Sequence, residues 1–290
     1  MARAPPLQGG CRGFKSLWAH VNKPTVAKLA EIIEKRYPKT LALEWDVVGL
    51  ITSNSKIEVK KILLTIDVTP EVVSQAISES VDLLISHHPL ILDQEESTDI
   101  QEKRIELKML LEQNSIGLYC IHTNADIAEG GVNDALAAKI GLIKVKRFGQ
   151  EQMGRIGELK ENLNLETFIN LLKNNLPKTQ GALQVSGNLE NQVLKVAVCG
   201  GSGSSLLAEV RQTDADVFVT ADLKHHAISD NKVMNGPALI SISHWASEWL
   251  WLPELKKQLE TDFSQNNFDV KILISEIVTD SWDFSVEAKS

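Results

Sequence analysis

The chain has 290 residues, 43% of them apolar, and a formal charge of −8 at pH 7. This acidity argues against binding to nucleic-acid phosphates, and no apolar run approaches the roughly 20 residues that cross a bilayer. The 3 cysteines form no CxxC pair, which is typical of a reducing compartment. We therefore expect a cytoplasmic protein without thiolate metal ligands.

In chain order, the sequence predicts a leader followed by two α/β lobes. Residues 1–23 are basic and free of acids, which fits a flexible leader or an organelle transit peptide. In the first lobe, residues 24–145, we predict helices at 24–37, 70–79, 101–113 and 130–141 and strands at 60–67, 81–86 and 117–121. In the second lobe, residues 146–290, we predict an interlobe segment at 150–190, helices at 165–174, 206–212, 223–232 and 245–260, and strands at 194–199, 217–220, 238–243 and 270–275.

The two lobes are predicted to be related by an internal βαβ duplication. In the first lobe, Lys61 begins an apolar strand and Asp82 begins the next, 21 positions further on. In the second lobe, Lys195 and Asp216 are again 21 positions apart and begin equivalent apolar runs. Equal spacing of this kind indicates that both halves place the ends of their strands in the same way.

Each half then continues through a helix and a strand to a histidine that is followed four residues later by a carboxylate. The pairs are His122 with Asp126 and His244 with Glu248. This spacing places both side chains of a pair on one face of a helix. We expect a helix for the second pair and a loop for the first.

Histidines concentrate at the predicted strand ends, where ligands bind in open α/β sheets. The apolar run at 81–86 stops at His87 and His88, and six of the seven histidines follow a strand end in this way. If the two lobes face each other at these edges, nine polar side chains converge. They are His87, His88, His122, Asp126, Asp222, His225, His226, His244 and Glu248.

A cluster of imidazoles and carboxylates without thiolates suits two divalent ions of Zn, Fe, Mn or Co. Two ions held by a bridging carboxylate lower the pKa of water, which favours hydrolysis at neutral pH. The alternative is a metal that only joins the lobes. The stretch at 200–205, GGSGSS, is either a tight turn or a phosphate-binding loop.

Four motifs in this order resemble the NIF-three-like dinuclear metal family, whose members are often described as GTP cyclohydrolase I type 2 homologues. The motifs are SHHP at 86–89, HTNAD at 122–126, GVNDAL at 131–136 and HWASE at 244–248. The resemblance implies two α/β lobes, a two-metal site in a cleft and a homohexamer. By resemblance, the metal ligands are His87, His88, Asp126, His244 and Glu248. The same resemblance places His122, Asp222 and His226 beside the site, and we assign them as catalytic residues. Val47 departs from the family pattern, which commonly has Asn there.

The resemblance implies hydrolysis of a purine nucleotide, with opening of the imidazole ring of GTP and loss of formate. Two alternatives stay open. One is a two-metal phosphoesterase, and the other is a metal-binding adaptor or chaperone that presents a surface to partner proteins without catalysis. The expected partners are therefore a small molecule and further copies of the chain, with neither nucleic acid nor membrane.

Overall fold

The computed structural model describes residues 23–90 and 97–286 and shows a mixed α/β fold with two sheets. The predicted leader lies outside the described residues, apart from Lys23. The strands are β1 (Gly49–Leu50), β2 (Lys61–Thr65), β3 (Leu83–Ser86), β4 (Gly117–Cys120), β5 (Ile143–Phe148), β6 (Gly154–Asn164), β7 (Gln184–Ser186), β8 (Gln192–Ser202), β9 (Val217–Ala221), β10 (Ala238–Ser241) and β11 (Lys271–Ile274). The α-helices are α1 (Val26–Arg36), α2 (Pro70–Ser78), α3 (Thr98–Gln113), α4 (Thr123–Ile127), α5 (Val132–Ile140), α6 (Leu165–Asn175), α7 (Leu207–Val210), α8 (His225–Val233), α9 (His244–Trp249) and α10 (Trp251–Gln265).

The first sheet has the strand order β1-β4-β3-β2-β11, and the second has the order β5-β6-β8-β9-β10-β7. The neighbouring parallel strands are β4, β3, β2 and β11 in the first sheet and β8, β9 and β10 in the second. Strands that are buried on both faces favour near-continuous apolar runs, which is the pattern of these strands. Their carboxyl ends therefore lie together at one edge of each sheet.

The two sheets repeat the same pairing register. Ile62 lies opposite Leu83 in the first sheet, and Val196 lies opposite Val217 in the second, both 21 residues apart. The start of each strand pair is held by an equivalent aspartate. Asp82 accepts hydrogen bonds from two successive backbone N–H groups of the preceding strand, and Asp216 does the same in the other half. The predicted 21-residue spacing thus corresponds to a repeated βαβ geometry.

Short sequence signals explain where several helices begin and end. Thr25 and Thr69 accept hydrogen bonds from backbone N–H groups in the first turns of α1 and α2, and Pro70 occupies the first turn of α2. Gly141 ends α5 with φ +88°, as predicted. No helix among the described residues is long and apolar enough to cross a membrane.

The sheets divide the chain differently from the predicted lobes at 24–145 and 146–290. Strand β5 starts before the predicted boundary and pairs with β6 in the second sheet. At the other end, β11 returns to the first sheet and pairs with β2, which buries Ile272. Pairing with β2 is a tertiary contact over some 200 residues, which local sequence patterns do not reveal.

Helix α5 lies between the two apolar cores. Its residues Val132 and Ala135 belong to the core that covers the first sheet. Leu136, Ala137 and Ile140 of the same helix belong to the core of the second sheet. Because α5 and α9 both also contact β8, the two sheets are packed around a common pair of helices. This packing places the edge of the first sheet against α9.

Candidate metal centre

Strand β3 delivers two adjacent histidines to the centre. The ring of His87 is fully buried, and its Nδ1–H donates to the carbonyl oxygen of Ile121 at 2.9 Å. The Nδ1–H of His88 donates to Oδ1 of Asp67 at 2.6 Å. Their backbone N–H groups donate to Thr65 and Ile66, which extends the pairing of β3 with the end of β2. The two rings are thus held on a continuous part of the sheet.

His122 follows β4 and precedes the short helix α4, which carries Asp126. The Nδ1–H of His122 donates to Oδ1 of Asp46 at 2.9 Å, and the other oxygen of Asp46 accepts from the backbone N–H of Thr123 at 3.0 Å. The expected loop between His122 and Asp126 is wrong, because residues 123–127 form one helical turn. That turn directs the buried Asp126 towards His87.

His244 and Glu248 lie one turn apart on α9, as the four-residue spacing predicted. Ser243 caps this helix by accepting a hydrogen bond from the backbone N–H of Ala246 at 3.0 Å. The Nδ1–H of His244 donates to Oδ2 of Asp222 at 2.6 Å. Helix α9 therefore contributes an imidazole and a carboxylate to the same side of the cleft.

The four imidazoles share the same hydrogen-bond arrangement at Nδ1, which follows from their partners. Each Nδ1 faces a carbonyl or carboxylate oxygen, so each Nδ1 carries a proton and donates it. In the neutral rings, the free lone pair is then on Nε2. Neighbouring ring centroids are 5.0 to 5.4 Å apart, so these nitrogens share one space. Oxygen partners on the remote nitrogen are characteristic of histidines that bind metals.

Glu248 is the central carboxylate of the cluster. Its oxygens lie 3.5 Å from Nε2 of His87, 3.2 Å from Nε2 of His88 and 2.9 Å from Nε2 of His244. Asp126 approaches the cluster from the other side, with Oδ1 at 3.7 Å from Nε2 of His87. Two groups of side chains have ligand atoms that all lie within 4.8 Å of one another. These groups are His87, His88 and His122, and His88, His244 and Glu248.

The donor set fits divalent cations. Within the cluster, Nε2 of His87, Oδ1 of Asp126 and Oε2 of Glu248 are buried without a hydrogen-bond partner of good geometry, and Oε2 of Glu248 lies 3.2 Å from Nε2 of His88 as an ion pair. Buried polar atoms without partners are costly and rare in native proteins. A cation among these atoms would satisfy all of them, and nitrogen and oxygen donors of this kind suit Zn, Fe, Mn or Co.

Several side chains of the cluster have strongly shifted pKa values. Burial disfavours the charged form of His88, but the charge of Glu248 and the hydrogen bond with Asp67 outweigh it and raise the pKa of His88 to about 10. For His244, Glu248 and Asp222 outweigh burial in the same way and raise the pKa to about 11. Burial opposes ionisation of Glu248, yet the neighbouring imidazoles hold its pKa well below the usual value. Burial raises the pKa of Asp126.

Metal binding is expected to release protons and to tighten as the pH rises. Because the pKa values of His88 and His244 lie near 10 and 11, both rings are charged at neutral pH and a cation must displace their Nε2 protons. The logarithm of the apparent association constant should rise by up to about two per pH unit between roughly pH 6 and 9. Competition dialysis at several pH values measures this slope. An association constant independent of pH would contradict the assigned proton positions.

The glycine-rich stretch leaves space for His244 and Glu248. A side chain at Gly201 would place its Cβ 2.4 Å from Oε1 of Glu248 and 3.2 Å from Nε2 of His244, and Gly201 has φ +62°. The backbone N–H groups of Gly200 and Gly201 donate internally, to Asn133 at 2.6 Å and Ser247 at 2.8 Å. The phosphate-binding reading of these two glycines is therefore wrong, and the predicted tight turn is instead a continuation of β8 to Ser202.

The structure brings together most, but not all, of the predicted site residues. His87, His88, His122, Asp126, His244 and Glu248 share the cluster. Asp222 accepts a hydrogen bond from Nδ1 of His244 and so contacts a candidate ligand of the cluster. His225 and His226 are exposed on α8, and the ring contact described for them is with each other, at 5.3 Å. Neither residue belongs to the cluster or lines the two cavities, and both lie in the first turn of α8, which begins three residues after Asp222.

Asp222 is expected to control metal affinity through the orientation of His244. Asp222→Ala should weaken binding about 10-fold to 100-fold while leaving the fold intact, because an oriented ring is lost. Competitive metal titration with a chromophoric chelator measures the change. His226→Ala serves as the matched control and should bind metal like the wild type. Equal affinities for Asp222→Ala and wild type would exclude this role.

Two aspartates of the centre were missed from the sequence. Asp46 and Asp67 hold the remote nitrogens of His122 and His88. Asp67 could have been found, since it follows strand β2 at the same sheet edge as His88. Asp46 lies in an irregular segment before β1, and no periodicity points to it. Asp67 also accepts a hydrogen bond from the hydroxyl of Thr279, which connects the C-terminal segment to the centre.

Two adjoining cavities open onto the cluster, with volumes of about 820 and 1130 Å³. Both are lined by Asp67, His88, His244, Thr279 and Ser281. The larger one also reaches His122, Asp126 and Glu248. A small organic molecule therefore has space beside the candidate ligands.

Comparisons with known proteins agree with the motifs. The model of the Duf34/NIF3 (NGG1p interacting factor 3) family matches residues 24–281. The chain is 34% identical over 267 residues to a GTP cyclohydrolase 1 type 2 homolog of Streptomyces coelicolor, covering 89% of this chain and 94% of that protein. Among solved structures, it is similar to reduced HcgD from Methanocaldococcus jannaschii, with a TM-score of 0.74, 31% identity and coverage of 89% of this chain and 100% of that one. A Staphylococcus aureus hypothetical protein gives a TM-score of 0.81 at 27% identity, with coverage of 91% and 100%. The protein described here is thus a member of the Duf34/NIF3 family.

Proposed function

We propose that this protein is a metal-dependent hydrolase with a dinuclear centre that acts on a purine nucleotide, as a GTP cyclohydrolase of type 2 would. The observation that supports it best is the convergence of four imidazole Nε2 atoms and two buried carboxylates on one space beside a cavity of about 1130 Å³. The substrate class is supported by the name of the relatives, GTP cyclohydrolase 1 type 2 homolog.

Five residues would hold the ions, His87, His88, Asp126, His244 and Glu248. Glu248 would be the central ligand, because it contacts three of the imidazoles. Divalent ions in this position would lower the pKa of water and neutralise negative charge on the substrate. The protein's own contribution is to fix the rings, through Ile121, Asp67 and Asp222 on the remote nitrogens.

His122 is the proposed proton-transfer residue. Its Nδ1–H is held by the buried carboxylate of Asp46, so the lone pair of Nε2 faces the centre and can accept a proton. The negative charge of Asp46 then stabilises the imidazolium that forms. Asp222 is proposed as a positioning residue for His244, and we assign no role at the centre to His226.

The hydrolase is tested by measuring formate release from GTP with metal-loaded protein. We expect formate from the wild type and from His226→Ala, and none above background from His87→Ala, because His87 is buried between both candidate carboxylates. Phosphate release from generic phosphate esters, with no formate from GTP, would favour a phosphoesterase instead. Two bound ions without turnover of either substrate class would support a non-catalytic metal-binding role and end the hydrolase proposal.

The homohexamer, the cytoplasmic location and the lobe boundaries stay predictions. Light scattering of the purified protein measures the number of copies in the assembly.

A further inference from the structure

The exposed aromatic side chains gather at the mouth of the metal cleft. Within residues 23–90 and 97–286, they are Trp45, Trp282 and Phe284, with exposed fractions of 58%, 71% and 72%. Trp45 lines the larger cavity, and the other two line the smaller one. Exposed aromatic surface that is concentrated at a cavity points to binding of an apolar or planar ligand.

Trp45 is held in place while its ring remains exposed. The adjacent Asp46 is anchored by Thr123 and His122, and its backbone N–H donates to the carbonyl oxygen of Leu43 at 2.9 Å. The ring of Trp45 packs against His122 in a T-shaped arrangement, with centroids 5.9 Å apart. Val47, which also lines the cavity, is 51% exposed. An immobilised aromatic ring loses little entropy when a second ring stacks on it.

The side chains of the cleft offer a polyphosphate few Lys or Arg contacts. In the part of the chain that the structure describes, five acids line the two cavities, and Arg104 is the one Lys or Arg side chain that does so. The acids are Asp67, Asp126, Asp222, Glu248 and Asp280. Proteins that bind phosphates through side chains use clusters of Arg and Lys. Apart from contacts with the proposed metal ions, recognition in this cleft therefore depends on other parts of a ligand.

From these observations we infer that Trp45 is the stacking platform for a planar heteroaromatic ring, and that the site recognises a nucleobase-like ring largely independently of phosphates. This inference rests on the proposed function for the choice of purine ligands. It assigns the specificity of binding to the heteroaromatic ring of the ligand. When the metal ions are removed, the triphosphate of a nucleotide contributes little to affinity.

The test compares three probes on full-length protein, namely GTP, guanosine and inorganic tripolyphosphate, by equilibrium dialysis. The variants are Trp45→Leu, which keeps apolar volume without an aromatic ring, and Trp45→Phe, which keeps a ring. Metal content and thermal unfolding are measured for both to show that the fold and the centre are intact. Each titration is repeated after chelation. Because Trp45 is outside the candidate ligand set, its effect on binding should not require the metal.

After chelation, we expect guanosine to bind within about threefold of GTP, and Trp45→Leu to weaken both by about tenfold. Trp45→Phe should stay within about threefold of the wild type, with or without chelator. Equal affinity of wild type and Trp45→Leu, or displacement of GTP by tripolyphosphate when guanosine does not bind, overturns the inference. Guanosine binding that depends on position 45 in a protein that releases no formate would instead refute the proposed hydrolase alone.

Discussion

Replacing Glu248 with glutamine is expected to remove metal from the protein. Glu248 is the one carboxylate that contacts His87, His88 and His244, and an amide has neither its charge nor a second acceptor oxygen for a bridge. Elemental analysis should find about two ions per chain in the wild type and fewer than one in the variant. Formate release should fall to background for the same reason.

The same substitution should also weaken the metal-free fold. It removes one partner of a buried ion-pair network, which costs about 3 to 5 kcal/mol when the remaining charges have no compensation. Chemical unfolding in the presence of a chelator measures this loss. Glu254→Gln is the matched control, because Glu254 is exposed on α10 and makes no described ion pair. Full metal content in Glu248→Gln would disprove the central role of Glu248.

The substitution Gly201→Ala, which adds one methyl group, is expected to reduce the metal content nearly as much as Glu248→Gln. The Cβ of Gly201→Ala would lie 2.4 Å from Oε1 of Glu248, so the carboxylate would have to leave its position between the imidazoles. The variant should lose most of its metal, measured by elemental analysis. The positive φ of +62° adds roughly 1 to 2 kcal/mol of backbone cost for a residue with a side chain.

The variant Gly141→Ala distinguishes the steric contact with Glu248 from the backbone cost of a positive φ. Gly141 has φ +88°, but no atom lies within 4 Å of a Cβ built there. This control should therefore lose a similar amount of stability to backbone strain and keep its metal. If both alanine variants retain metal equally, contact with Glu248 is not what makes glycine necessary at position 201.

The parts of the site that follow local patterns were predictable from the sequence. His87, His88 and His122 follow apolar strands, and the carboxyl ends of parallel strands meet at one edge of a sheet. His244 and Glu248 have helical spacing, and α9 forms as expected. The 21-residue repeat was visible because the same βαβ unit imposes the same apolar and acidic positions in both halves.

Residues whose position relative to the site depends on the tertiary fold were not predictable from the sequence. Asp46 reaches His122 from an irregular segment 76 positions away, and no local period marks it. His226 resembled the other histidines in sequence, yet it is exposed on α8. Gly201 looked like part of a loop, and its role as a gap beside Glu248 requires the packing of α9 against β8.

The amino-acid order alone was enough to predict the α/β class and the repeat, because each depends on contacts or periodicities within about 20 residues. Contacts between remote segments determine three other features. These are the distance between Glu248 and His87, the acceptor for each Nδ1–H and the pairing of β11 with the first sheet. Those contacts form only when α5 packs between the two cores and α9 packs against the first core and β8. Long-range burial thus determines which of the candidate side chains share one space.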